Sequence, residues 1–390
     1  MEYTLDIDTE RPYRAHVGTF LLEQVGALAR EAAAGERAVI VTDSNVGPLY
    51  AQPVSASLAE AGYTVRTFTF EAGERNKRAA TLVSILEFMA AFEMGRGDVV
   101  IALGGGVVGD VAGFAAATYM RGCPYIQVPT TLLAMVDSSV GGKCAIDLEG
   151  GKNLAGAFWQ PRAVIADVGC LATLEPEQFA DGCGEVIKHA MIADADLFGE
   201  LERTPLTQEL LLADTARVAE LIACNIDIKR AVVVSDEREA GLRKLLNFGH
   251  TIGHGVEAAE CYRLGHGTCV GIGMVAVSSA AVTAELCDAD IPERLVALLR
   301  ACGLSCALSA DDDAVFSAAL HDKKRHGDTI DLVVPRAIGA CALAPTPLEE
   351  FRRILEVGLA CTRALAGEDA DTVAPAVQPV SATPDKDSAC

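Results

Sequence analysis

The residues of this 390-residue chain best suited to act together chemically stand in Asn247-Phe248-Gly249-His250-Thr251-Ile252-Gly253-His254, with a third histidine in Gly265-His266-Gly267. In a helix over 246–259, His250 and His254 are four apart and share one face. His266 follows the turn-like insert Cys261-Tyr262-Arg263-Leu264-Gly265 and opens a second helical run, Val270 to Cys287. Three of the seven histidines therefore meet at one helix–turn–helix corner. Neutral imidazole is a common zinc ligand, and a catalytic zinc takes three protein ligands and keeps one position open. Histidines four apart also cap helices or fill polar seams. Thr251 stands where the metalloprotease signature requires Glu, so this is not that signature.

Other groups supply what three imidazoles lack. Gly184-Glu185-Val186-Ile187-Lys188-His189 places a carboxylate and an ammonium at i and i+3 of a helix. The pair is either an ordinary helical ion pair or the source of an oxygen ligand, Glu185, that completes a Glu-His-His zinc site. Lys143 (after Val140-Gly141-Gly142) and Lys152 (Gly151-Lys152-Asn153) interrupt small or apolar runs, and Arg121 adds a third cation. That pattern reads as an oxyanion pocket. Gly104-Gly105-Gly106-Val107-Val108-Gly109-Asp110 follows a strand and enters a helical run. Glycines there let backbone N–H groups approach a pyrophosphate at a helix N-terminus, although any tight turn can require them. No acidic residue ends a strand about 20 residues later to take a ribose; Asp43, at the end of an earlier strand, can serve instead. Lys229, Glu239 and Arg243 lie on the approach to Asn247, and Asp322-Lys323-Lys324-Arg325-His326 reads as a solvated loop.

The elements that must position these groups are legible from periodicity. Residues 1–17 give two short strands, Phe20–Ala34 a helix, Arg37–Thr42 a strand, Val54–Ala61 a helix, Thr64–Phe70 a strand and Leu82–Phe92 a helix. Asp98–Leu103 is a short apolar run bounded by a charged turn and glycines, as in a strand buried on both faces. Alternating strands and helices imply an α/β, doubly wound, mostly parallel Rossmann-like domain over 1–175. Beyond it come helical runs at Glu177–Met191, Thr207–Ile228, Leu242–Ala259, Thr268–Leu286 and Ile291–Cys302, with only Thr329–Val334 strand-like. This predicts a mostly α-helical metal-binding domain over 176–365. Residues 366–390, acidic and rich in Pro, Ser, Thr and Ala, read as a disordered tail.

The formal charge of −22 argues against general nucleic-acid affinity, because phosphate binding needs clustered Lys and Arg. No apolar run approaches the roughly 20 residues of a membrane span, and the N-terminus has no apolar export signal. Thirteen scattered cysteines without Cys-x-x-Cys suit reduced thiols in a cytoplasmic protein.

Taken together, Gly104–Lys188, Asn247–His254 and Gly265–Gly267 closely resemble the 3-dehydroquinate synthase family and its sugar phosphate cyclase relatives, over nearly all of the chain but the tail. The resemblance implies one divalent metal, zinc or cobalt, on Glu185, His250 and His266, with His254 turned to substrate. It implies NAD across Asp43, Glu74, Lys77, Gly106, Val107, Val108, Gly109, Asp110, Thr130, Thr131 and Thr173, with Lys143 and Lys152 beside it. It gives Lys143 and Arg243 to a substrate carboxylate, and Asp137 and Lys229 to ring hydroxyls. Lys152, Asn153, Asn247, His254 and a lysine of the 323–324 pair, Lys324, would meet phosphate. Lys188, Glu239 and His254 would be catalytic. Arg121 would reach over from a second subunit, which implies a homodimer. The implied activity is conversion of 3-deoxy-D-arabino-heptulosonate 7-phosphate to 3-dehydroquinate and phosphate, as in the shikimate pathway. Amino-dehydroquinate formation and other sugar phosphate cyclisations are the neighbouring possibilities, and an NAD- and metal-dependent polyol dehydrogenase is the different class. Thr268 departs from the family, which commonly has Glu two residues after the third zinc histidine, and so does Cys144.

Overall fold

The computed structural model describes residues 2–320 and 325–367. Lys323, Lys324 and most of the expected tail lie outside the described residues. The first layer is a seven-stranded sheet in the order β1-β2-β9-β6-β5-β3-β4. Its strands are β1 (Tyr3–Ile7), β2 (Tyr13–Gly18), β3 (Arg37–Asp43), β4 (Thr64–Phe70), β5 (Val99–Gly104), β6 (Tyr125–Pro129) and β9 (Ala163–Asp167). Every neighbouring pair is parallel except β1 with β2. β5, Val-Val-Ile-Ala-Leu-Gly, is buried at every position, as its unbroken apolar run requires when helices cover both faces. Those helices are α1 (Val25–Ala32), α2 (Gly47–Glu60), α3 (Ala79–Ala91) and α4 (Gly106–Thr118). α2 starts seven residues earlier than its apolar pattern predicts, with Pro48 in its first turn where the missing N–H costs nothing.

A feature missed by periodicity stands beside this sheet: the antiparallel hairpin of β7 (Lys143–Leu148) and β8 (Gly151–Phe158), with Lys143 paired to Phe158. Both glycine-flanked lysines therefore sit on one hairpin.

The rest is largely helical: α5 (Pro176–Ala193), α6 (Ala195–Arg203), α7 (Gln208–Ala213), α8 (Thr215–Ser235), α9 (His250–Ala259), α10 (His266–Thr283), α11 (Ile291–Ala301), α12 (Asp312–Ala319) and α13 (Leu348–Gly367). The single helix predicted over 207–228 is two, because the Asp214 side chain accepts from Arg217 N and caps a new helix start. The helix predicted over 242–259 also breaks. Gly249 takes a left-handed φ of +77°, and α9 starts afresh at His250. Thr329–Val334 is not a lone strand: β11 (Thr329–Ala337) pairs with β10 (Arg325–His326) and β12 (Ala340–Pro347). α10 is long and apolar enough to cross a membrane by composition, yet 78% of it is buried inside the fold. It serves as the core helix against which α5, α9 and α13 pack. The described cysteines are all free, as their scatter predicts.

Candidate active site

At the sheet, β3 and β4 extend to one side and β5, β6 and β9 to the other, so a crevice opens between the C-terminal ends of β3 and β5. Asp43 ends β3, and Gly104-Gly105 leads from β5 into α4. α4 begins at Gly106, earlier than its apolar run suggests, so Gly106, Val107, Val108, Gly109 and Asp110 form its first turns. The leading N–H groups of such a helix favour an anion. A Cβ on Gly105 would meet Thr131 Cγ2 at 3.1 Å, and the buried Thr130 hydroxyl has no partner among the described residues. This cradle fits a dinucleotide pyrophosphate. Asp43 itself accepts from Asn45 N and Val46 N at 2.9 Å and so shapes the turn into α2. Thr173 Oγ1 lies 2.6 Å from the Tyr50 hydroxyl on α2. Lys77 Nζ is 2.5 Å from Asp110 and donates to Asn153 at 2.6 Å, joining crevice to hairpin.

The hairpin carries the other cations toward the helical half. Lys143 Nζ is 2.6 Å from Glu239, whose other oxygen accepts from Asn247 Nδ2 at 3.0 Å. Lys152 Nζ is 2.6 Å from Glu257 and 3.8 Å from Glu74. Asn153 and Glu239 both hold left-handed backbone, at φ +53° and +59°, which for non-glycine residues clusters at functional sites. Arg243 is 1% exposed and donates to the carbonyls of Glu237 at 2.5 Å and Gly141 at 2.9 Å. Lys143, half-exposed, is thus the more reachable of the two cations expected at a substrate carboxylate. Cys144 points the other way, into the core beside Gly113 and Tyr125.

Three helices meet at the histidine corner. His250 and His266 are each the first residue of their helix, and Glu185 lies midway along α5, 1% exposed. Glu185 Oε1 is 3.4 Å from His250 Nε2 and 3.3 Å from His266 Nε2. His250 Nδ1 contacts the Phe248 carbonyl at 3.2 Å, which requires that nitrogen to carry the proton and leaves Nε2 a bare acceptor facing a carboxylate. Two acceptors at that distance repel unless a cation joins them. Glu185 is almost fully buried, and Glu185, His250 and His266 offer ligand atoms within 4.8 Å of one another. Burial holds the His250 imidazole well below its usual range, in the neutral form a metal requires. Burial opposes charge on His266 too, but hydrogen bonds with Glu185 and Glu257 outweigh it and raise that group to about 10. The donor set fits a divalent metal. His254 stands next to it, its ring 5.3 Å from His250 and 5.9 Å from His266.

Behind the cluster, Asp137 sits on a π-helical turn (Ala134–Ser138), a distortion frequent at functional sites. Its Oδ1 lies 2.8 Å from Lys229, 3.7 Å from Lys188 and 3.5 Å from His189 Nε2. Lys188 also pairs closely with Glu185. Sequence reasoning missed two residues here. His189 is fully buried, four after Glu185, and its Nδ1 is 3.2 Å from Asn225 Oδ1. Glu257 lies seven after His250 on the same face of α9, a spacing that marks it in retrospect. Arg121 is the exception among the expected site residues: it follows the far end of α4, about 18 Å along the helix from Gly106.

A dinucleotide-type sheet crevice joined by a lysine-bearing hairpin to a Glu-His-His cluster defines the class: an NAD-and-metal type of enzyme architecture. Comparison with known proteins makes the class specific. Family models described as 3-dehydroquinate synthase N-terminal and C-terminal match residues 67–181 and 182–325. The 3-dehydroquinate synthase of Streptococcus gordonii is 40% identical over 347 residues, covering 88% of this chain and 97% of that one. A structure of 2-deoxy-scyllo-inosose synthase complexed with carbaglucose-6-phosphate, NAD+ and Co2+ superposes with a TM-score of 0.80 at 27% identity, covering 90% and 99%. A 2-epi-5-epi-valiolone synthase from Streptomyces hygroscopicus with NAD+ and Zn2+ bound gives 0.80 at 28% identity, covering 94% and 100%. The chain belongs to the 3-dehydroquinate synthase family.

Proposed function

We propose that the protein converts 3-deoxy-D-arabino-heptulosonate 7-phosphate to 3-dehydroquinate and phosphate, as a carbon–oxygen lyase that eliminates phosphate, with NAD and one divalent metal. The observation that carries this is the Glu185–His250–His266 cluster opening onto the Lys143, Lys152 and Lys229 cations, in a chain 40% identical to a 3-dehydroquinate synthase. When bound, the metal supplies Lewis acidity at a substrate hydroxyl and NAD a reversible hydride acceptor, so the reaction ends without net redox.

The chain's own residues bind and orient. Lys143, backed by Arg243, receives the substrate carboxylate. Asp137 and Lys229 hold ring hydroxyls, with Lys188 keeping Glu185 and Asp137 both ionised. Lys152, Asn153, Asn247 and His254, joined by Lys324, hold the phosphate while it leaves and while it accepts the proton from the adjoining carbon. Glu239 keeps Lys143 and Asn247 in register. Fixing a small, highly charged substrate from several sides excludes water from the reactive intermediates. In this reading the protein is a homodimer in which Arg121 serves the partner site.

Supplying the heptulosonate phosphate with catalytic NAD and zinc tests the reading. Phosphate release without NADH accumulation is the expected result. Net NADH formation, or no turnover, overturns it.

A further inference from the structure

Glu257 uses its two oxygens on two different machines. Oε2 faces His266 Nδ1 at 3.6 Å, while Nε2 of the same ring faces Glu185 at 3.3 Å. Oε1 lies 2.6 Å from Lys152 Nζ, which reaches it from β8. The carboxylate is 7% exposed, so both contacts are made with little screening by water. One side chain on α9 therefore spans the gap between a metal ligand on α10 and a cation on the hairpin.

The two contacts have opposite consequences. A carboxylate behind Nδ1 fixes the imidazole orientation and makes Nε2 a better donor to a metal, and loss of such a partner typically weakens metal binding about 10–100-fold. A carboxylate on Lys152, in contrast, competes with any anion for that ammonium. We propose that Glu257 is a positioning residue that links the metal cluster to the phosphate end of the site: it orients His266, and it gives up Lys152 when phosphate arrives. In the phosphate-bound state its charge is then available to His266 alone, so occupancy of the phosphate end strengthens the metal ligand. When phosphate departs, Glu257 returns to Lys152 and helps clear the site. Linkage makes the effect mutual, so metal and phosphate each favour the other through this residue. The proposal rests on the reading that Lys152 meets the leaving phosphate.

The experiment compares wild type, Glu257→Gln, Glu257→Asp and Lys152→Met in two binding measurements on the NAD-loaded protein. One is zinc affinity by chelator competition, with and without inorganic phosphate. The other is the inhibition constant of inorganic phosphate. Glu257→Gln is expected to weaken zinc about 10–100-fold, to tighten phosphate several-fold, and to abolish the dependence of zinc affinity on phosphate. Glu257→Asp, shorter but still charged, should fall between on zinc, which separates an orienting role from loss of the fold. Zinc affinity within twofold of wild type in Glu257→Gln, or phosphate binding unchanged or weaker, overturns the proposal. If Lys152→Met leaves phosphate inhibition intact, the reading of Lys152 falls, and the phosphate half of the proposal falls with it. If wild type itself binds no zinc, the reading of the metal cluster is what fails.

Discussion

Lys229 Nζ lies 2.8 Å from Asp137 Oδ1 and also donates to the Asp137 backbone carbonyl. Burial lowers the lysine, Asp137 resists that shift, and Arg243 nearby adds to it; the result is an ammonium brought down to about 8. Its charge is present below that pH and is lost as pH rises through it. Because kcat/KM reports groups of the free enzyme, its alkaline limb should fall with an apparent pKa near 8. Lys229→Arg, whose charge persists, should move that limb upward even if the plateau drops. A limb unchanged by the substitution would assign it elsewhere.

The Glu185 carboxylate is disfavoured by burial, but the Lys188 ammonium overcomes this and holds it well below the usual carboxylate range. Its charge is what pairs with a cation, so Glu185→Gln, which preserves shape, should lower kcat by at least about 100-fold and abolish tight zinc binding. Chelation of wild type should do the same, and added zinc or cobalt should restore it. Activity retained after exhaustive chelation would remove metal from the reaction.

Gly249 places His250. At φ +77° a side chain is strained, and a Cβ there would sit 2.6 Å from both Val270 O and Met274 Cγ. α10 has nothing to yield, since a Cβ on Gly273 would lie 2.0 Å from Gly249 O. Gly249→Ala is expected to cost about 1–3 kcal/mol, read as a lower Tm, and to weaken zinc binding because α9 must shift away from α10. An unchanged Tm would show that the turn adapts freely.

Arg121 gives a test of assembly. Arg121→Ala and Lys152→Met should each be nearly inactive alone. Co-expressed in equal amounts, they should recover up to about a quarter of wild-type activity, because a two-fold dimer of one copy each regains one intact site. No recovery would mean that Arg121 does not act across subunits.

Residue order alone determined a good deal here. A continuous apolar run such as Val99–Leu103 has one stable use, a strand covered on both faces, and its repetition between helices dictates the parallel sheet. Helical spacing put His250 and His254 on one face, and local motifs singled out Glu185, Lys143 and Lys152. These features depend on neighbours within a few residues. The tertiary structure decided what depends on distant approach. It joined Glu185 and His266 across 81 positions, left His254 beside the cluster, and seated Lys143 and Lys152 on a hairpin that periodicity did not reveal. It turned Arg243 inward onto two carbonyls and set Glu257 between His266 and Lys152. A carboxylate's role follows from which charges it meets, and here those charges lie on other elements of the chain.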